Sequence, residues 1–118
     1  MSYRPHSVLQ QYRETQVMTA DPLQLLIMVY DFTIAACKER NLEKVSRGLG
    51  ELRDSLNHEV GGQVAADLLS LYLYMADQAR QGEFEHVATM LSELRDTWVA
   101  ARERLAQETA APLMSVAA

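Results

Sequence analysis

Three histidines and one cysteine are the residues of this chain whose types could serve a metal ion or a nucleophilic reaction: His6, His58, His86 and Cys37. The histidines are too far apart in sequence to form a metal-ligand spacing. Glu83-Phe84-Glu85-His86 contains one Glu-x-x-His, the pattern of di-iron carboxylate bundles. Such a site needs two copies and further inward carboxylates, and no second copy exists. A phosphorelay histidine needs an exposed mid-helix position beside basic residues, whereas His58 falls in a predicted loop next to Glu59. A lone cysteine can form neither an internal disulfide nor a Cys-rich metal site, and Cys37 lies on an apolar stripe. Gly61-Gly62 lacks the Lys or Ser/Thr that would complete a phosphate-cradling loop. These residues predict no catalytic site, no metal and no cofactor: a protein that is not an enzyme.

The rest of the composition points to recognition by surface. At 118 residues the chain has the length of one domain. Hydrophobic residues make up 48% and charged residues 23%, ordinary globular usage. With Gly 5 and Pro 3, turn formers are too sparse for many short strands. Lys and Arg number 11 against 16 Asp and Glu, a net charge of -5 that argues against a nucleic-acid partner. The longest strongly apolar run, Leu25 to Tyr30, is far too short to cross a bilayer, so no membrane insertion is expected. Met1 to Gln10 lacks the apolar stretch of a signal peptide, and the setting expected is the reducing cytoplasm.

Hydrophobic spacing predicts an all-α fold. Residues 1–21 are read as an N-terminal arm, in which the spacing of Leu9 and Tyr12 allows a short helix; a loosely ordered terminus is the alternative. Ala20-Asp21-Pro22 is a helix start, with Asp as N-cap and Pro at the first helical position. Four helices follow at about 22–40, 42–57, 63–80 and 83–107, with a mobile tail at 108–118. In the second helix, Leu42, Val45, Leu49, Leu52 and Leu56 form one heptad-like seam. Gly48 and Gly50 interrupt it and weaken the helix unless something packs closely there. Short connections make successive helices antiparallel, giving an up-down four-helix bundle over residues 22–107.

The first helix carries more apolar surface than one core stripe needs. At ~100° per residue, Leu23, Leu26, Ile27, Tyr30, Ile34 and Cys37 share one side. Leu25, Met28, Val29, Phe32 and Ala36 form a second stripe roughly opposite. Gln24, Asp31 and Lys38 separate the stripes on one side, Thr33 and Arg40 on the other. The third helix shows a milder excess, from Val64 through Leu68, Leu71, Tyr72 and Met75, with Leu73 just beyond. A surplus apolar face on a soluble protein marks an interface, and a groove of Leu, Met and Tyr suits an amphipathic helix from a partner. The alternative is that the first helix lies at the bundle centre, covered by the arm and by a second subunit.

Tyr12, Val17-Met18-Thr19-Ala20-Asp21-Pro22, Leu25-Leu26 and Met28-Val29-Tyr30-Asp31 resemble the opening of the FliS family of flagellin export chaperones. Glu51-Leu52-Arg53, Gly61-Gly62, Leu68-Leu69, Leu71-Tyr72-Leu73-Tyr74-Met75, Leu94-Arg95 and Trp98 are similar to its later signatures. The resemblance spans about Leu9 to Arg102. It implies a chaperone that binds the C-terminal segment of flagellin, prevents premature polymerisation and serves the flagellar type III export gate. By the resemblance and the stripes together, the client groove falls on Leu25, Met28, Val29, Phe32, Leu68, Leu71, Tyr72 and Met75. The export-gate docking arm falls on Leu9 and Tyr12. Phe32 stands where the family usually has Gly, and the hairpins joining helices one to two and three to four look shortened at one end of the bundle. A structural homodimer, or a paralogue with another client, is the alternative.

Overall fold

The computed structural model describes residues 21–117, and side chains as far as Glu108. Leu9 and Tyr12 lie outside the described residues. Four helices make up the described chain: α1 (Pro22–Lys38), α2 (Leu42–Asp54), α3 (His58–Arg80) and α4 (Phe84–Ala117). Each packs on the next and α4 returns to α1, so the helices stand in a square with α1 diagonal to α3. The fold is the all-α four-helix bundle expected from the periodicity.

Local chemistry sets the helix starts. The Asp21 carboxylate accepts from Leu23 N at 3.0 Å and Gln24 N at 3.4 Å, and Pro22 follows it. Asn41 caps α2 through Lys44 N, and Asn57 caps α3 through Val60 N, both at 3.0 Å. Three boundaries differ most from expectation, and the first is the end of α2, at Asp54 rather than about residue 57. The segment 58–62 was expected as a loop, but His58–Gly61 already form a helical turn, satisfied by the Asn57 cap. Gly62 then breaks the helix, with φ 51° and ψ −124°, a conformation that costs a residue with a Cβ dearly. At the other end, α4 continues as helix to Ala117 rather than giving way to a tail at residue 108.

The two short connections, at 39–41 and 81–83, lie at one end of the bundle. There the Arg40 guanidinium sits 5.0 Å above the Phe84 ring and donates to the Gly82 carbonyl at 3.4 Å. Arg40 adopts φ 55°, the left-handed position after a helix that glycine normally fills. The Asn41 amide returns to the Ala36 carbonyl at 3.0 Å, closing α1 in Schellman fashion.

The core gathers Val29, Tyr30, Ile34 and Cys37 of α1 with Leu49 and Leu52 of α2, Tyr72 and Met75 of α3, and Val87 and Leu91 of α4. Burial pushes the Cys37 thiol up to about 11, which keeps it an inert small hydrophobe at neutral pH.

The two stripes of α1 merge into one buried face. Thr33, expected to separate them, is fully buried because its hydroxyl donates to the Val29 carbonyl at 2.7 Å. It lies where α2 comes closest. A Cβ placed on Gly48 would overlap the Thr33 hydroxyl and sit 2.9 Å from Thr33 Cβ. Gly48 therefore has the close neighbour that its place in the seam required. The buried arc of α1 runs from Leu25 through Thr33 to Ile27, about 200° of the wheel. Among the described elements, α2 and α4 are the main neighbours of α1.

Candidate functional site

Surplus apolar surface sits on α3. Val64 is 63% exposed and Leu71 36%, with half-buried Leu68 between them on the same side of the helix. This row borders α4, and the α3–α4 seam is the most loosely packed of the four. Across it stand Met90 and Leu94 of α4, half-buried against the core. Among the described residues, the polar tie across the seam is near the hairpin, where the Tyr74 hydroxyl meets His86 Nε2 at 3.1 Å and the two rings meet edge to face. Towards the start of α3 the described side chains of the row are the apolar Val64 and Leu68. Ahead of the Gly62 break, Val60 adds an 84% exposed side chain on the capped first turn.

The eight residues expected to form one client groove divide into three groups. Leu25, Val29, Tyr72 and Met75 are buried, so their side chains offer no surface in this conformation. Tyr72 and Met75 fill the bundle centre because their side of α3 faces α1 across the diagonal. Leu68 and Leu71 lie along the loosely packed seam. Met28 and Phe32 are half-buried on α1, about 160° around the helix from Tyr30, which is the residue that reaches α3. The structure therefore places the α1 pair and the α3 pair on different sides of the bundle rather than in one groove. Val64, Met90 and Leu94 belong to the seam but were not among the expected site residues. Val64 could have been found from its wheel position beside Leu71; the α4 pair depends on how far the helices splay.

Between the two sides lies a polar contact inside the core. The Tyr30 and Tyr72 hydroxyls are 2.5 Å apart, with ring centroids at 6.4 Å. Burial raises both phenols above their ordinary value, and for Tyr72 the charge and hydrogen bond of Tyr30 raise it further. The pair is a structural hydrogen bond that satisfies two buried hydroxyls.

Ion pairs join α4 to α1 at the surface. Arg102 donates to Asp21 at 2.6 Å and to the Gln24 side chain at 3.2 Å, while Arg95 pairs with Asp31. The Arg102 guanidinium holds the Asp21 carboxyl below the usual carboxylate range. Among the described residues, no group of three or more His, Cys, Asp or Glu could hold a metal ion. No described helix is long and apolar enough to cross a membrane.

The model of a family described as "Flagellar protein FliS" matches residues 35–105, more than half of the chain. The match begins near the end of α1, so the likeness of Tyr12 to Asp31 to the family's opening lies outside it. No curated protein and no solved structure matches the chain. Covered from the end of α1 through α2, α3 and most of the described α4 side chains, the chain belongs to the FliS family of flagellar proteins, a family of export chaperones and not of enzymes.

Proposed function

We propose that this protein is a cytosolic export chaperone that binds the C-terminal segment of flagellin. It keeps that segment from polymerising early and supports delivery to the flagellar type III export gate. Family membership supports the chaperone role, and the observation that carries the mode of binding is the row of exposed Val64 and Leu71 with half-buried Leu68 beside the loosely packed α3–α4 seam. An amphipathic client helix lays its apolar face into that seam, as helix-in-groove recognition requires. Met28 and Phe32, on another side of the bundle, serve as a second contact for a client that wraps around the chaperone. Leu25, Val29, Tyr72 and Met75 support these surfaces from beneath. Leu9 and Tyr12 of the N-terminal arm dock on the export-gate protein. A structural homodimer is the alternative; with Leu25, Val29 and Ala36 buried within one chain, it would use half-buried Met28 and Phe32 of the second α1 stripe.

Calorimetric titration with the C-terminal segment of flagellin from the same organism tests this reading. Tight one-to-one binding with a large negative heat-capacity change is expected, because apolar burial and coupled folding both contribute. Val64→Asp and Leu71→Asp weaken binding at least tenfold while the helical circular-dichroism signal stays unchanged. Met28→Asp and Phe32→Asp weaken it less. Undiminished binding by the two α3 variants would sink the seam as the client site.

A further inference from the structure

Helix α4 outruns the helices it packs on. It spans 34 residues against 17 for α1, and Arg102 already pairs with Asp21, the cap of α1. Residues 103–117 therefore project past the start of α1, about 22 Å by helical rise. Leu105 shows the consequence. It stands seven residues after Trp98 on the side of α4 that faces the core, yet it is 52% exposed, where Val87 and Leu91 on the same side are fully buried.

The projecting part changes character along its length. Glu103, Arg104 and Glu108 are charged, whereas no residue of 109–118 is. Leu113, Met114 and Val116 fall in this uncharged stretch, and so does Pro112, which denies the helix one backbone hydrogen bond. A helical end of this kind needs tertiary cover, because short helices draw most of their stability from a packed face. As one continuous helix, α4 carries the segment away from its own α3–α4 seam. The seam of a second molecule is within its reach.

We propose that residues 109–117 of α4 occupy the α3–α4 seam of a second copy of this chain, whose own α4 fills the first seam in return. The exchange is two-fold and closed, so it yields a dimer and not a filament. Length fits: Val64 and Leu71 are about 10 Å apart along α3, less than half the projecting helix. Chemistry fits as well, since exposed Val64 and Leu71 gain apolar cover and the incoming segment brings no charge to desolvate. The consequence rests on the client reading: a seam filled by α4 of the second copy is closed to flagellin until the client displaces it. Client affinity then falls as protein concentration rises, because the competent monomer is a smaller fraction.

Sedimentation velocity of the full-length protein, between about 1 and 100 µM, tests the exchange without any client. A monomer–dimer equilibrium is expected. The double variants Leu113→Asp/Val116→Asp and Val64→Asp/Leu71→Asp should each weaken the dimer roughly tenfold or more, as loss of apolar anchors does, with the helical circular-dichroism signal unchanged. Mixing the two variants should recover part of the association, because one intact α4 then meets one intact seam. A full-length protein that stays monomeric throughout would overturn the exchange, and cover of the overhang by residues 1–20 of the same chain would show in that way. A dimer indifferent to either double variant, such as one built on Met28 and Phe32, would overturn it too. If both variants dissociate the dimer but the flagellin segment neither binds nor disrupts it, the exchange stands and the client reading falls.

Discussion

Helices α1 and α3 both carry more apolar residues than one core stripe requires, and the bundle treats them in opposite ways. On α1 the surplus is consumed internally: α2 and α4 cover it, and even Thr33 is buried through its bond to the Val29 carbonyl. On α3 the surplus stays outside, as Val64 and Leu71 beside one seam and Leu73 beside the other. The difference comes from the neighbours. Gly48 lets α2 approach α1 closely, whereas α4 tracks α1 through Arg95 and Arg102 and touches α3 least. An apolar stripe is thus a statement about need for cover, and the source of that cover depends on where adjacent helices come to rest.

If α1 is structural and the outer face of α3 is functional, substitutions on the two helices should separate cleanly. The largest effect is expected from Tyr30→Ala, which removes a fully buried ring from the bundle centre. A loss of roughly 3–5 kcal/mol is expected, read by urea denaturation. Gly48→Ala comes next. A gain in helix propensity of about 1 kcal/mol is outweighed by overlap with Thr33, for a net loss of roughly 1–3 kcal/mol. Adding Thr33→Ala should restore part of it, since the overlapping hydroxyl goes but Cβ remains.

Tyr72→Phe should cost about 1–3 kcal/mol, because the Tyr30 hydroxyl loses its partner while still buried. It should also change the alkaline limb of the stability profile. Both phenols ionise less readily folded than unfolded, so their contribution is complete below the ordinary tyrosine value of about 10 and is lost as pH rises above it. Cys37 acts in the same direction up to about 11. The variant has one shifted phenol fewer, so its stability should fall less steeply above pH ~10.

Leu71→Asp is expected to have the smallest effect on stability, about 1 kcal/mol, since its side chain is about one-third exposed. Its loss should appear in client binding instead. A Leu71→Asp protein that unfolds easily, or a Tyr30→Ala protein that does not, would dissolve the contrast between the helices.

Fold class was legible in the sequence because it follows from short-range chemistry. Asp21-Pro22, the 3–4 spacing of Val45, Leu49 and Leu52, and the end of the third helix at residue 80 each follow from chemistry within a few residues, and each appears in the structure where expected. Motif order from Glu51 to Trp98 likewise carried the family likeness, and the match over 35–105 agrees. Which apolar residues remain on the surface was not legible. Periodicity assigns a side chain to a direction on its own helix but says nothing of the neighbour met in that direction. Thr33 looked like a polar separator until its hydroxyl was satisfied within the helix. Leu71 and Tyr72 are adjacent in one motif, yet one is 36% exposed and the other 2%. That division follows from the square of helices, the close approach at Gly48 and the loose α3–α4 seam, all of them contacts between residues distant in sequence.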